Sequence, residues 1–494
     1  MSRLQIGRGA VYLYIENIGS MLFGYAFWFI LSRTTTPEIV GVTSSLISIA
    51  AIFISLASIG VPLGAQRFLG KIFLEQRFED AWVYTRSSFL IVSIGLAASG
   101  LIILMGRNIL FSHFSFALVS VTLVLITTST VSVLLRAIII ASLDTRKILF
   151  ASIISSVVKL VAVIIVLSFR TGEVGILVAF STTPLLTSIL LAFDVKTLLK
   201  KASMKTMLRF IDSFRALLKA SVAGWIPMTI ETAGAQLGTI VVLGVQGPTQ
   251  AGFYFIAFQI TMGILSVIWA IEGTTYPALS AKKEGRKRFV WRTIKICLTI
   301  LLPISFAVFF YSKDILELFG SNYSEGSPAL QVLLLSVFPT TIMNAVGILT
   351  YAYGNYRNVL IIGIAAAIPR GLLYLVFVPS FGGVGAALSY TLGATFGFVV
   401  SLAISSKMGL TIRWKETMLM AAIPLMFALL LSNLKVNYVI GIILSIIFSY
   451  LLFLRLKLIE RNDVQDYLAI LPSSISNPVI KIVNKIGVTL NPDY

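Results

Sequence analysis

The sequence predicts an all-α polytopic membrane protein of about fourteen transmembrane helices. They are arranged as two six-helix lobes related by pseudo-two-fold symmetry, with two extra C-terminal helices. Three observations carry this. The 494 residues are 57% hydrophobic and 12% charged, with mean hydropathy +0.95, where soluble domains carry about 25% charged residues. Almost every stretch of about 20 residues between loops is apolar enough to cross a bilayer. The basic residues are segregated to one set of loops, and motifs recur after about 210 residues.

The expected spans are 9–32, 39–62, 86–106, 114–141, 148–169, 174–195, 219–244, 251–278, 291–311, 327–351, 358–378, 383–405, 415–432 and 437–457. The opening MSRLQIGRGAVYLYIENIGS contains Glu16 and lacks a small-residue cleavage site, so it reads as the first span rather than a signal peptide. The connections RTTTPE, RTGE and QGPTQ are short, which makes the helices on either side antiparallel neighbours. Span seven holds Pro227, which kinks it, and Gly234 and Gly238, a GxxxG that admits close helix approach. The longest polar interruption, Lys196 to Lys219, leaves no room for a soluble domain. The division is residues 1–200 for the first lobe, 201–412 for the second, 413–458 for the last two spans and 459–494 for a tail. In the tail NDVQDYLAIL and PVIKIVNKIGV read either as short helices on the membrane surface or as a disordered tail.

With the N-terminus inside, thirty of the 39 Lys and Arg residues fall in cytoplasmic segments and five outside (Arg33, Arg107, Arg170, Lys313 and Lys435). The positive-inside rule then places both termini in the cytoplasm and accounts for the net charge of +19 without nucleic acid. The remaining four are Arg136, Lys159, Lys295 and Arg370. Lys295 lies near a helix end and is expected to snorkel to the headgroups; for Arg136 snorkelling stands beside an inward-facing role. Lys159 and Arg370 are near mid-span, where a charge costs roughly 2.5–3.5 kcal/mol and persists only when it faces a cavity or a partner. Lys159 follows Ser152, Ser155 and Ser156 at helical spacing, so its helix has one polar face and one face for lipid.

The repeat ties these charges together. Span two begins Pro37-Glu38-Ile39-Val40-Gly41 and span eight begins Pro248-Thr249-Gln250-Ala251-Gly252, 211 residues later. Span six begins Val174-Gly175 and span twelve Val384-Gly385, at an offset of 210. The turns ASLDTRKIL (141–149) and YAYGNYRNVL (351–360) correspond as well. An even number of spans per repeat gives both lobes the same orientation and a symmetry axis along the membrane normal. The same offset carries Lys159 to Pro369 or Arg370, so the two mid-membrane cations occupy near-equivalent places. Glu16 maps to position 227, one turn from Glu231, and Glu272 lies about six residues inside the cytoplasmic end of span eight. These acids either neutralise Lys159, Arg370 or Arg136, or serve cation coupling or gating.

The stretches GRGAVYLYIENIGSMLFGYAFWFILSR, PEIVG, ISLASIGVPLGAQRFLGK and FVPSFGGVGAALSY, on a fourteen-span plan, resemble one family. It is the polysaccharide-transport family of the multidrug/oligosaccharidyl-lipid/polysaccharide (MOP) exporter superfamily, which holds the Wzx-type oligosaccharide flippases. The resemblance implies a lipid-linked oligosaccharide, on polyprenyl phosphate or pyrophosphate, moved from the cytoplasmic to the outer leaflet for polysaccharide or glycoprotein biosynthesis. Lys159, Arg370 and Arg136 would bind its phosphate in a cavity of low dielectric constant. Glu16, Glu231 and Glu272 would couple or gate.

Two transporter alternatives stand beside this. A multidrug and toxin extrusion (MATE)-like antiporter is disfavoured by basic residues facing a cationic drug; a peptidoglycan-precursor flippase is not distinguished by charge. A membrane-embedded glycosyltransferase would need catalytic acids or a metal site on a sizeable loop. Glu38, Glu75, Glu79 and Asp80 read as ordinary loop acids. The single Cys297 and single His113 provide neither a disulfide framework nor a histidine relay. No cofactor is expected beyond a coupling ion, H+ or Na+. The partners to expect are the lipid-linked oligosaccharide, membrane lipids and glycosyltransferases or the polymerase of the same pathway, around a monomer in the cell membrane.

Overall fold

The computed structural model describes residues 3–107, 111, 114–200, 210–281 and 284–458; within its helices the side chains at 3–8, 10, 223, 269–270, 272–278 and 280–281 are not described. The surface helices expected in the tail, and His113, lie outside the described residues. The described elements are helical: α1 (Arg3–Thr34), α2 (Pro37–Ser58), α3 (Val61–Leu74), α4 (Phe78–Met105), α5 (Phe116–Ala141), α6 (Thr145–Ser168), α7 (Gly172–Leu199), α8 (Phe210–Gln246), α9 (Pro248–Ala281), α10 (Arg286–Phe310), α11 (Ser312–Glu317), a 3-10 turn (Ser321–Gly326), α12 (Ser327–Leu334), α13 (Val337–Ala352), α14 (Tyr356–Lys407), α15 (Trp414–Asn433) and α16 (Tyr438–Arg455).

Twelve of these helices are long and apolar enough to cross a membrane, or thirteen if α12 and α13, bent by 40°, form one span. The chain is a multi-pass membrane protein. The gap to the expected fourteen lies in α14, which counts once here. Its 52 residues contain a non-helical Gly382 at φ 54°, ψ −132°, a conformation open to glycine. A straight helix of that length would run about 78 Å, far more than a bilayer.

Two elements depart from the expected spans. Span two was expected to run to residue 62, but α2 stops at Ser58, turns through left-handed Ile59 and Gly60, and restarts as α3 with Pro62 in its first turn. Proline at the start of a helix removes no needed hydrogen bond, so the break is stable. Span ten is broken into α12 and α13 around Leu335 and Ser336, with Pro339 in the first turn of α13.

The chain folds as two compact units, Met1–Phe255 and Ile256–Tyr494. In the first, Leu69, Ile91, Leu134, Ile138, Leu191 and Leu217 are buried together from α3, α4, α5, α7 and α8. In the second, Leu298, Leu302, Ile342, Leu349, Met420 and Phe453 are buried together from α10, α13, α15 and α16. Burying leucine gains little over lipid, so helix association here rests on packing and small residues. α6 shows the resulting two-faced pattern. Ile154, Val157, Val161 and Ile164 are exposed for lipid, while Ser152, Ser155, Ser156 and Lys159 are buried. Thr187 of α7 donates to the Ser155 hydroxyl at 3.0 Å.

The repeat motifs meet inside the first unit. A Cβ on Gly41 would overlap the Pro248 carbonyl, and a Cβ on Gly252 would overlap the Pro37 carbonyl. The Thr249 hydroxyl donates to Glu38 Oε1 at 2.7 Å. Residues that the 211-residue offset makes equivalent thus contact each other reciprocally, as residues on a two-fold axis must. Gly41→Val is expected to lower stability by about 1–3 kcal/mol, because the overlap is with backbone that has nowhere to move. Thermal unfolding of the detergent-purified variant at the wild-type temperature would contradict this reciprocal packing.

Candidate functional site

Cations stack on aromatic rings throughout the molecule, but in two settings. Near helix ends, Arg33 lies over Phe29, Arg107 over Phe116, Arg86 over Trp82 and Phe210, Arg146 over Phe150, and Arg286 over Tyr353, at 5.2–5.7 Å from ring centroids. These are interfacial anchors with their heads near water. Lys159 and Arg370 are mid-helix and only 6% and 5% exposed.

In the first unit Lys159 Nζ sits 5.3 Å from the centroid of Phe27 on α1 and 5.5 Å from that of Phe180 on α7. Phe27 packs edge-on against Phe180 at 5.5 Å and Trp28 at 5.3 Å, and Trp28 meets Phe255 at 4.5 Å. Among the described residues no carboxylate pairs with Lys159. A desolvated cation–ring contact stabilises by about 2 kcal/mol. Two rings therefore offset much of the roughly 2.5–3.5 kcal/mol that a mid-membrane charge costs.

In the second unit the Arg370 guanidinium carbon is 4.2 Å from the centroid of Tyr390, which Phe258 meets edge-on at 5.4 Å. Gly393, one turn beyond Tyr390, leaves the space that the arginine stem fills; a Cβ there would crowd Arg370 Cβ and Nε. Arg370 Nε is buried without a hydrogen-bond partner. An orphaned donor of this kind costs about 1–3 kcal/mol, more for a charged group.

The two assemblies match residue by residue. Lys159 and Arg370 are 211 residues apart, and Phe180 and Tyr390, their covering rings, are 210 apart. The serine face and the cation pair were legible in the sequence; the rings were not singled out. The signal for them was present, since Phe180 and Tyr390 each fall six residues after the first valine of the Val174-Gly175 and Val384-Gly385 motifs.

Arg136 is arranged differently. Its Nη1 and Nη2 each donate to Glu16 at 2.9 Å, and Nη1 also donates to the Ser152 hydroxyl at 2.9 Å. Ser20 donates to Glu16 Oε1 at 3.1 Å. Glu16 is 3% exposed and the Arg136 side chain 27%. Arg136 makes an inward pair with Glu16 rather than snorkelling. Ser152 and Lys159 are seven residues apart on one face of α6, about 10 Å along its axis, so α6 meets α1 twice: at an ion pair and at a charge with rings.

The other candidates are not brought to these charges. Glu231 is exposed on α8 and forms no ion pair among the described residues. Glu272 is on α9, but its side chain lies outside those described. Lys295 is 4% exposed between fully buried Ile294 and Leu298, so it does not snorkel. Snorkelling needs a lipid-facing helix, and most of α10 is buried.

No protein-family model matches the chain. An inward-facing multidrug resistance MATE-family transporter of the MOP superfamily superimposes with TM-score 0.65 at 16% identity, over 80% of this chain and 98% of that one. Lipid II flippase MurJ, inward closed, gives TM-score 0.65 at 16% identity, over 90% and 99%. The fold is that of MOP-superfamily transporters. A third, from Pyrococcus furiosus, gives TM-score 0.58 at 18% identity over 82% and 96%; it is described as a MOP transporter whose reversed pocket polarity suggests a different function. In sequence, "Probable flippase AglR" of Haloferax volcanii is 24% identical over 191 residues, 36% of this chain. That match spans 39% of the relative's length.

Glu16→Gln is expected to destabilise the first unit by roughly 3 kcal/mol, because it leaves Arg136 with a charge and no acid. Adding Arg136→Met should recover most of the loss. Thermal unfolding of the two single variants and the double variant reads this cycle, and additive losses would refute the coupling.

Proposed function

We propose that this MOP-fold protein is a flippase that moves a lipid-linked oligosaccharide from the cytoplasmic to the outer leaflet of the cell membrane. It would work by alternating access, with both termini in the cytoplasm. The observation that carries the reading is the pair Lys159 and Arg370. Each is buried in mid-helix, covered by rings, and Arg370 keeps an orphaned donor. Such cations attract the phosphate or pyrophosphate of a polyprenyl-linked glycan. They repel the cationic drug that a MATE-like antiporter would take. The partial likeness to a probable flippase supports the class.

A second reading is a peptidoglycan-precursor flippase, favoured by the 90% of this chain that superimposes on lipid II flippase MurJ. Both readings call for an anionic, sugar-bearing lipid, and a panel of purified glycolipids separates them. Arg136, occupied by Glu16, supports the site rather than forming its centre. Glu231 and Glu272 remain the proposed coupling acids, with H+ or Na+ as the ion.

In proteoliposomes, Lys159→Ala and Arg370→Ala should each reduce glycan-lipid flipping at least about tenfold, or ~1.4 kcal/mol, at unchanged insertion. Wild-type rates from both variants would sink the proposal. Collapsing the H+ and Na+ gradients should slow flipping in the same vesicles. An unchanged rate would replace ion coupling with substrate-driven exchange.

A further inference from the structure

Among the described residues, Lys159 and Arg370 face rings rather than acids, for a physical reason. A carboxylate would stabilise Lys159 more strongly than a ring does, as Glu16 does for Arg136. It would also cancel the charge. A ring face stabilises the cation through its quadrupole and adds no net negative charge. The cation then keeps its full attraction for an anion approaching from its other side. The same arrangement stands at equivalent positions of both repeats: Lys159 with Phe180 and Arg370 with Tyr390. Equivalence extends to the segment that supplies the ring: α7, which follows the α6 of Lys159, and the part of α14 beyond Gly382, which follows the part that holds Arg370. Only the chemistry of the members differs, Lys to Arg and Phe to Tyr; the pairing of cation with ring is kept.

We propose that Phe180 and Tyr390 are positioning residues that hold Lys159 and Arg370 as charged, unneutralised anion receptors. Phe27 gives Lys159 a second ring. The inference rests on the anion-site reading above and assigns the rings a part in it. Without Phe180, Lys159 keeps only one of its two rings, and without Tyr390, Arg370 loses the surface that orients its guanidinium plane. The anion would then meet a cation that has turned away. The ring therefore acts on affinity, not on the rate of the conformational step.

The test uses the full-length protein in detergent, with inorganic pyrophosphate as probe and the thermal unfolding midpoint as readout. Wild type should be stabilised by pyrophosphate in a saturable way. Phe180→Met and Tyr390→Met keep volume and flexibility in the core but remove the ring. Each should raise the half-saturating pyrophosphate concentration about tenfold. The aromatic swaps Phe180→Tyr and Tyr390→Phe should stay within about twofold of wild type, a rescue that a purely structural role would not restrict to aromatic residues. Phe180→Glu should remove the response, since an acid then claims Lys159. In flipping assays the Met variants should raise KM and leave kcat.

Should a Met variant unfold, Phe180→Met is read in a Lys159→Met background, where the ring no longer matters and no further loss of response is expected. A wild-type response in the folded Met variants overturns the positioning role alone. No pyrophosphate response in wild type overturns the anion site, and the positioning role with it.

Discussion

A positive charge held in mid-membrane with no negative partner among the described residues is the constraint around which this molecule is arranged. Lipid offers no solvation, and a mid-span cation costs a few kcal/mol on insertion. The chain meets that cost in three ways. At helix ends, arginines lie on rings with their heads near water. Deeper, Arg136 is closed off by Glu16 and Ser152. At Lys159 and Arg370 the charge is sheltered and left uncancelled. Only the third arrangement keeps a long-range field, and a field is what an anionic headgroup senses.

The helices follow from this division. α1 supplies Glu16 to one cation and, eleven residues on, Phe27 to another. Eleven residues are close to three turns, so one face of one helix serves both. α6 answers with Ser152 and Lys159 seven residues apart, leaving Ile154, Val161 and Ile164 for lipid. Neither helix is amphipathic in the ordinary sense. α6 is apolar except for a narrow stripe, which is what a membrane interior permits and what marks the stripe as something other than surface.

Much of this could be read from residue order. Hydropathy located the spans, and the repeat made Lys159 and Arg370 a pair. The serine face of α6 followed from helical spacing. Other features were hidden for identifiable reasons. α3 lay inside an apolar run, and Gly60 with Pro62, not a change of polarity, ended α2. The rings went unremarked because aromatic residues are common in spans, and only a cation at 4–6 Å gives them meaning. Lys295 was misplaced because distance from a helix end says nothing about which neighbours surround the helix. Arg136 could be placed only once α1 was seen to bring Glu16 beside it.

The contact between Glu38 and Thr249 carries a last consequence. These positions correspond at the 211-residue offset, and they contact each other. Two identical chains associating here would be obliged to set like against like, glutamate facing glutamate, with mutual repulsion. A single chain that contains both copies is free of that obligation. It can keep the glycines alike, where shape demands it, and let the neighbouring pair diverge into donor and acceptor. Covalent linkage of the halves thus opens a chemical freedom that symmetry alone forbids.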